Sequence, residues 1–126
     1  MTENEIAEIV LDVAFKIHRE LGPGLFESVY ESILAYELEN VYELEIKRQY
    51  PVAIYWEGYE LGIGFKPDII VEDKVIVELK SVEALNKIYF KQVHTYLKVT
   101  HLKLGLLINF NEALLKDGIK RIVNQL

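Results

Sequence analysis

Asp68 and Glu78, with nine residues between them and Leu79-Lys80 directly after, are the side chains of this sequence best placed for chemistry. Their neighbours are Ile69-Ile70-Val71 and Val75-Ile76-Val77, β-branched runs that favour strands and burial. A carboxylate in such surroundings must be paired, hydrogen-bonded or bound to a cation, because desolvating a bare charge is costly. Two hard oxygen donors beside an ammonium group suit a divalent ion, Mg2+ or Mn2+, and the hydrolysis of a phosphodiester. The ordinary alternative is a Glu–Lys ion pair on a half-exposed hairpin. Glu-x-Lys alone discriminates little, since such a triplet occurs by chance in roughly every other chain of this length.

Strand geometry sets a condition. Side chains two apart share a face, so Glu78 and Lys80 point together and Leu79 points into the opposite layer. A two-residue turn at Glu72-Asp73 would put Asp68 on the face opposite Glu78. A three-residue loop, Glu72-Asp73-Lys74, would set the two acids directly across from one another, and a bulge in either strand would do the same. If they converge, the two carboxylates and the backbone carbonyl of Leu79 make half of an octahedral shell. Lys80 would then orient the attacking water or stabilise charge on the phosphate.

The surrounding elements follow from periodicity. Thr2 to Glu5 has capping-box spacing, and Ile6, Ile9, Val10, Val13, Ala14, Ile17 and Leu21 recur on one helical face until Gly22-Pro23-Gly24. A second helix is expected from Phe26 to Glu43, burying Phe26, Val29, Tyr30, Ile33, Leu34, Leu38 and Val41 or Tyr42. Strands follow at Tyr50 to Trp56, at Tyr59 to Phe65 continuing through Pro67 to Val71, and at Lys74 to Lys80. A break or bulge is expected at Gly62-Ile63-Gly64. Leu85 to Val99 reads as helix, Leu104 to Phe110 as an apolar central strand, and Ile119 to Val123 as a short edge strand. A helix between the third and fourth strands implies a crossover. The expected fold is therefore α/β, a mixed β-sheet flanked by helices in the order α-α-β-β-β-α-β.

Bulk properties bound the function. A chain of 126 residues, 51% hydrophobic and 27% charged, suits a single globular domain over residues 1–126. Its longest apolar run, Leu104 to Ile108, is too short to cross a membrane, and the acidic start Met1-Thr2-Glu3-Asn4-Glu5 is unlike a secretory signal. Cytoplasmic residence is the expectation. Lacking cysteine, the chain has no disulfide or thiolate ligand. The net charge of −6 argues against a protein that coats nucleic acid unaided. Residues 1–63 carry 4 basic and 13 acidic groups (−9) and residues 64–126 carry 10 and 7 (+3), so the half with the candidate site suits a polyanion. Chance variation among helix surfaces explains that asymmetry equally well.

Other residues are weaker alone. Gln92 and Tyr96, four apart on one helix, share a face and could reach a phosphate, although a core tyrosine beside a surface glutamine is the simpler account. Glu27 opens the second helix, where the dipole favours a carboxylate without any function. His18, His94 and His101 are not spaced as a metal set and are expected at the surface or its boundary. Tyr50, Tyr55, Trp56 and Tyr59 could stack on bases, but strand aromatics more often pack or line an interface such as that of a homodimer.

Gly24-Leu25-Phe26-Glu27-Ser28-Val29-Tyr30 resembles the signature of the GxxExxY protein family. Glu78-Leu79-Lys80, Gln92 to Tyr96 and Leu104 to Phe110 extend the resemblance over nearly the whole chain. That family is similar to the PD-(D/E)XK nuclease superfamily, which implies a restriction-endonuclease-like core. The resemblance further implies Asp68 and Glu78 as metal ligands, Lys80 as the catalytic lysine, Glu27 as the helix-borne acid near the metal, and Gln92 and Tyr96 as substrate-positioning residues. Nucleic acid, DNA ahead of RNA, is the implied partner and a divalent metal the implied cofactor. The rival expectation is a non-catalytic nucleic-acid-associated or protein-binding module, working as a dimer or with a protein partner.

Overall fold

The computed structural model describes residues 1–126 as three layers. Helices α1 (Glu3–Leu21) and α2 (Glu27–Asn40) cover one face of a mixed sheet, and α3 (Lys87–Thr100) covers the other. The sheet contains β1 (Ile46–Arg48), β4 (Ile69–Val71), β5 (Val75–Lys80), β6 (Leu104–Asn109) and β7 (Ile119–Val123), side by side in that order. Only β5 and β6 run parallel, joined by the α3 crossover. Strands β2 (Val52–Trp56) and β3 (Tyr59–Phe65) form a separate hairpin. The restriction-endonuclease-like architecture expected from the sequence is present.

Burial follows strand alternation. Ile69, Val71, Val75, Val77 and Leu79, with Leu104, Leu106 and Ile108, pack against Ile6, Val10, Val13, Tyr30, Leu34 and Leu38. Each such side chain contributes about 1.5–3 kcal/mol on burial, which makes this the face that sets the register. On the other face Ile70 and Ile76 meet Leu97. Gly105 lets α3 approach closely, since a Cβ there would lie 2.5 Å from Val93 Cγ1.

Several expectations need correction. The first strand of the sheet is β1, three residues too short to show alternation. The anticipated three-strand meander is split. Pro67 has no N–H to donate and holds its predecessor extended, so the ladder ends between β3 and β4. Register shifts within β2–β3 do fall around Gly62 and Gly64, as anticipated. Helix α2 ends at Asn40, and Phe26, Val29, Val41 and Tyr42 are exposed rather than buried. Tyr30, Leu34 and Leu38 are buried as expected, and Glu31 and Ala35 join them on the inward side, where Glu31 meets Arg48. Leu85 precedes α3, which begins after Asn86, whose Oδ1 accepts the Ile88 N–H at 2.9 Å. Central position belongs to β5, with β6 beside it.

Candidate active site

The β4–β5 connection settles the parity question. Val71 pairs with Val75 and Ile69 with Val77, which leaves Glu72-Asp73-Lys74 as a three-residue loop and sets Asp68 opposite Glu78. Glu72 and Asp73 both adopt left-handed backbone (φ 53° and 52°), which is unfavourable without glycine. Contacts with the start of β1 hold them there. Glu72 accepts the Glu45 N–H at 3.0 Å, and Asp73 pairs with Lys47 Nζ at 2.7 Å.

The two acids meet. Asp68 donates its backbone N–H to Glu78 Oε1 at 3.3 Å, and Leu79 donates its N–H to Asp68 Oδ2 at 2.9 Å. Asp68 Oδ1 accepts from Gln49 Nε2 at 3.0 Å, whose second hydrogen goes to Glu31 Oε1 at 2.8 Å. Arg48 Nε donates to Glu31 Oε2 at 3.0 Å, closing the network. Glu78 is only 7% exposed. Burial above all, then the charge of Asp68 and a shared hydrogen bond with it, push the Glu78 carboxyl up to about 9. The Asp68 N–H and the Lys80 ammonium oppose this more weakly.

Around this pair, Lys80 is half-buried two residues beyond Glu78, its Nζ 4.5 Å from the centre of the Tyr89 ring. Tyr96 stacks on Phe65 with ring centres 4.0 Å apart. Its phenol is pushed up by burial first and then by the charges of Glu78 and Asp68. Gln92 is exposed one turn earlier and takes no part in their hydrogen bonds.

Glu27 and Tyr30 have structural partners. Glu27 Oε2 accepts the Ser81 N–H at 3.1 Å, and Ser81 Oγ donates to the Leu25 carbonyl at 2.8 Å. Tyr30 Oη donates to the Gly22 carbonyl at 2.6 Å and accepts the Leu25 N–H at 3.2 Å. Gly24, between them, has φ +108°, a conformation that excludes most other residues. The Gly24–Tyr30 segment thus ties the start of α2 to the end of β5, just past Lys80. Asn109, fully buried, clasps Val82 from the other side, accepting its N–H at 3.1 Å and donating to its carbonyl at 2.9 Å.

Gln49, Glu31, Arg48 and Asn109 were not among the residues singled out from sequence. No local signal marks Glu31, which the apolar periodicity of α2 leaves beside the stripe and which its partners Arg48 and Gln49 draw inward. His18 Nε2 lies 2.8 Å from the Glu112 carbonyl, away from the acids. The largest cavity, about 520 Å³, lies between the end of α1 and residues 113–116, and its lining includes neither acid.

The donor set fits a hard divalent cation: two converging carboxyl groups, all-oxygen, one of which holds a proton that a cation can displace. No third His, Cys, Asp or Glu joins them in a cluster of three. Water, a carbonyl or phosphate oxygens would complete the shell, as Mg2+ commonly allows. No helix is long and apolar enough to cross a membrane. The model of the PD-(D/E)XK nuclease superfamily matches residues 4–122; the match does not extend to the narrower GxxExxY resemblance. No curated protein and no solved structure matches the chain.

Proposed function

The chain belongs to the PD-(D/E)XK nuclease superfamily, and on that premise we propose that it is a nuclease acting in the cytoplasm, hydrolysing phosphodiester bonds of nucleic acid, DNA ahead of RNA, with Mg2+ or Mn2+. The observation that carries this reading is the contact between Asp68 and Glu78 on one sheet face, with Lys80 two residues on. Asp68, Glu78 and the Leu79 carbonyl would hold the cation, which would supply Lewis acidity to the phosphate and to a water.

The protein's own groups do the rest. Asp68 is kept aimed by the Leu79 N–H and by Gln49. Glu78 gives up its proton when positive charge arrives. The Lys80 ammonium, steadied over Tyr89, stabilises negative charge on the phosphate or orients the attacking water. Tyr96 and Gln92 position the substrate from α3. Glu27 would serve as the helix-borne acid near the metal, its Oε2 meanwhile holding the Ser81 N–H.

The test is cleavage of labelled single- and double-stranded DNA and RNA in Mg2+ by wild type, Asp68→Ala and Lys80→Ala. Loss of two to four orders of magnitude in rate with either variant is expected. Equal cleavage by all three proteins would overturn the assignment.

A further inference from the structure

Resting on the nuclease reading, we propose that the β2–β3 hairpin is a base-stacking platform, so that the substrate of this site is nucleic acid with unpaired bases rather than continuous duplex. Tyr55, Trp56, Tyr59 and Leu61 are each 65–73% exposed on this hairpin. Trp56 and Tyr59 are direct cross-strand partners at its tip, beside the Glu57-Gly58 turn. Two stiff rings side by side present flat apolar faces, and base–aromatic stacking uses such faces without regard to sequence. Apolar surface of this extent on a separate two-stranded unit marks an interaction site.

The position of the hairpin selects the occupant. At its base Phe65 stacks on Tyr96, and the chain runs from Phe65 through Lys66-Pro67 directly to Asp68. Whatever the tip holds is therefore tethered to the acid pair by the same strand. From Tyr59 to Phe65 the strand covers about 20 Å at 3.3 Å per residue, a reach of several nucleotides.

Access to base faces then separates single strand from duplex. Residues 50–65 contain no lysine or arginine, and Glu57 and Glu60 are their only charged groups. A duplex hides its base faces inside the stack and offers the rings nothing to cover, while Lys98 of α3, lining a pocket with Tyr55, is placed for the backbone of a strand laid on the hairpin. Unpaired bases offer the faces that the rings can cover.

Trp56 is the single tryptophan of the chain, so its emission reports the hairpin alone. The full-length protein in Ca2+ buffer is titrated with oligothymidylate of about twelve nucleotides and with a duplex of equal length. Saturable quenching by the single strand is expected, with the duplex weaker by about ten-fold or more. Tyr59→Ala should weaken single-strand binding by about ten-fold while Mn2+ affinity stays unchanged. Equal or tighter duplex binding overturns the proposal, as does binding by anisotropy with unchanged emission. A doubled mass by light scattering without oligonucleotide, reverting to monomer in Tyr59→Ala, would assign the surface to a second copy instead. Cleavage lost in Lys80→Ala but insensitive to Tyr59→Ala would leave the nuclease reading standing and remove this one.

Discussion

Glu78→Gln should stabilise the metal-free protein at neutral pH while abolishing its response to metal. In the fold the Glu78 carboxyl titrates at about 9, against 4.5 for the unperturbed group, because burial and Asp68 oppose its ionisation. Between those values the folded chain holds a proton that the unfolded chain has released. Stability therefore falls as pH rises through this window, by 1.36 kcal/mol per unit, and the loss is complete above 9. At pH 7.5, three units above the ordinary value, the accumulated cost is on the order of 4 kcal/mol. That is a large share of the 5–15 kcal/mol typical of a domain. Glutamine has the shape of the protonated acid and cannot ionise, and its amide can donate to Asp68. Urea unfolding in EDTA should show the variant more stable by a few kcal/mol at pH 7.5 and within about 1 kcal/mol of wild type at pH 5. Adding Mg2+ should raise the wild-type midpoint by mass action and leave the variant unmoved. Wild-type binding should release close to one proton per ion, read as a buffer-dependent calorimetric heat. Parallel stability–pH curves for the two proteins would refute the reasoning, since the slope belongs to Glu78.

Gln49→Leu should weaken Mn2+ binding by roughly 10–100-fold in calorimetry, because Asp68 loses one of its two orienting donors; Gln49→Asn, with a shorter reach, should recover little. An unchanged affinity would show that the Leu79 N–H suffices to aim Asp68. Gly105→Ala should destabilise by about 1–3 kcal/mol through its clash with Val93, and Val93→Ala in the same chain should recover part of that loss in urea midpoint. Additive losses in the double variant would place the strain elsewhere. Asn109→Ala should cost about 1–3 kcal/mol, since the half-buried Val82 N–H and carbonyl lose their partner, and hydrogen exchange at Val82 should rise.

What the sequence makes visible here is what short periods record. Continuous apolar runs identify β5 and β6, which are buried on both faces, and three-four spacing identifies α1 and most of α3, each of which buries a regular stripe. The parity of the β4–β5 loop is another matter. Two- and three-residue loops are both compatible with Glu72-Asp73-Lys74, and the longer one requires two non-glycine residues in left-handed conformation. Glu45 and Lys47, respectively 27 and 26 residues from their partners, stabilise it, and no local pattern carries that information. The inward side of α2 is hidden for the same reason: Glu31 faces the sheet because Arg48 and Gln49 await it there. Gln49 itself turns on a positive φ of 49° just past β1, a strand too short to read. The orientation of Asp68 thus depends on α2, on β1 and on the β5 backbone at once. A carboxylate fixed by three elements has little freedom to turn away from Glu78, so mutual repulsion within the pair is relieved by a proton or a cation rather than by movement. Competition between those two occupants is what ties the stability of this fold to the chemistry proposed for it.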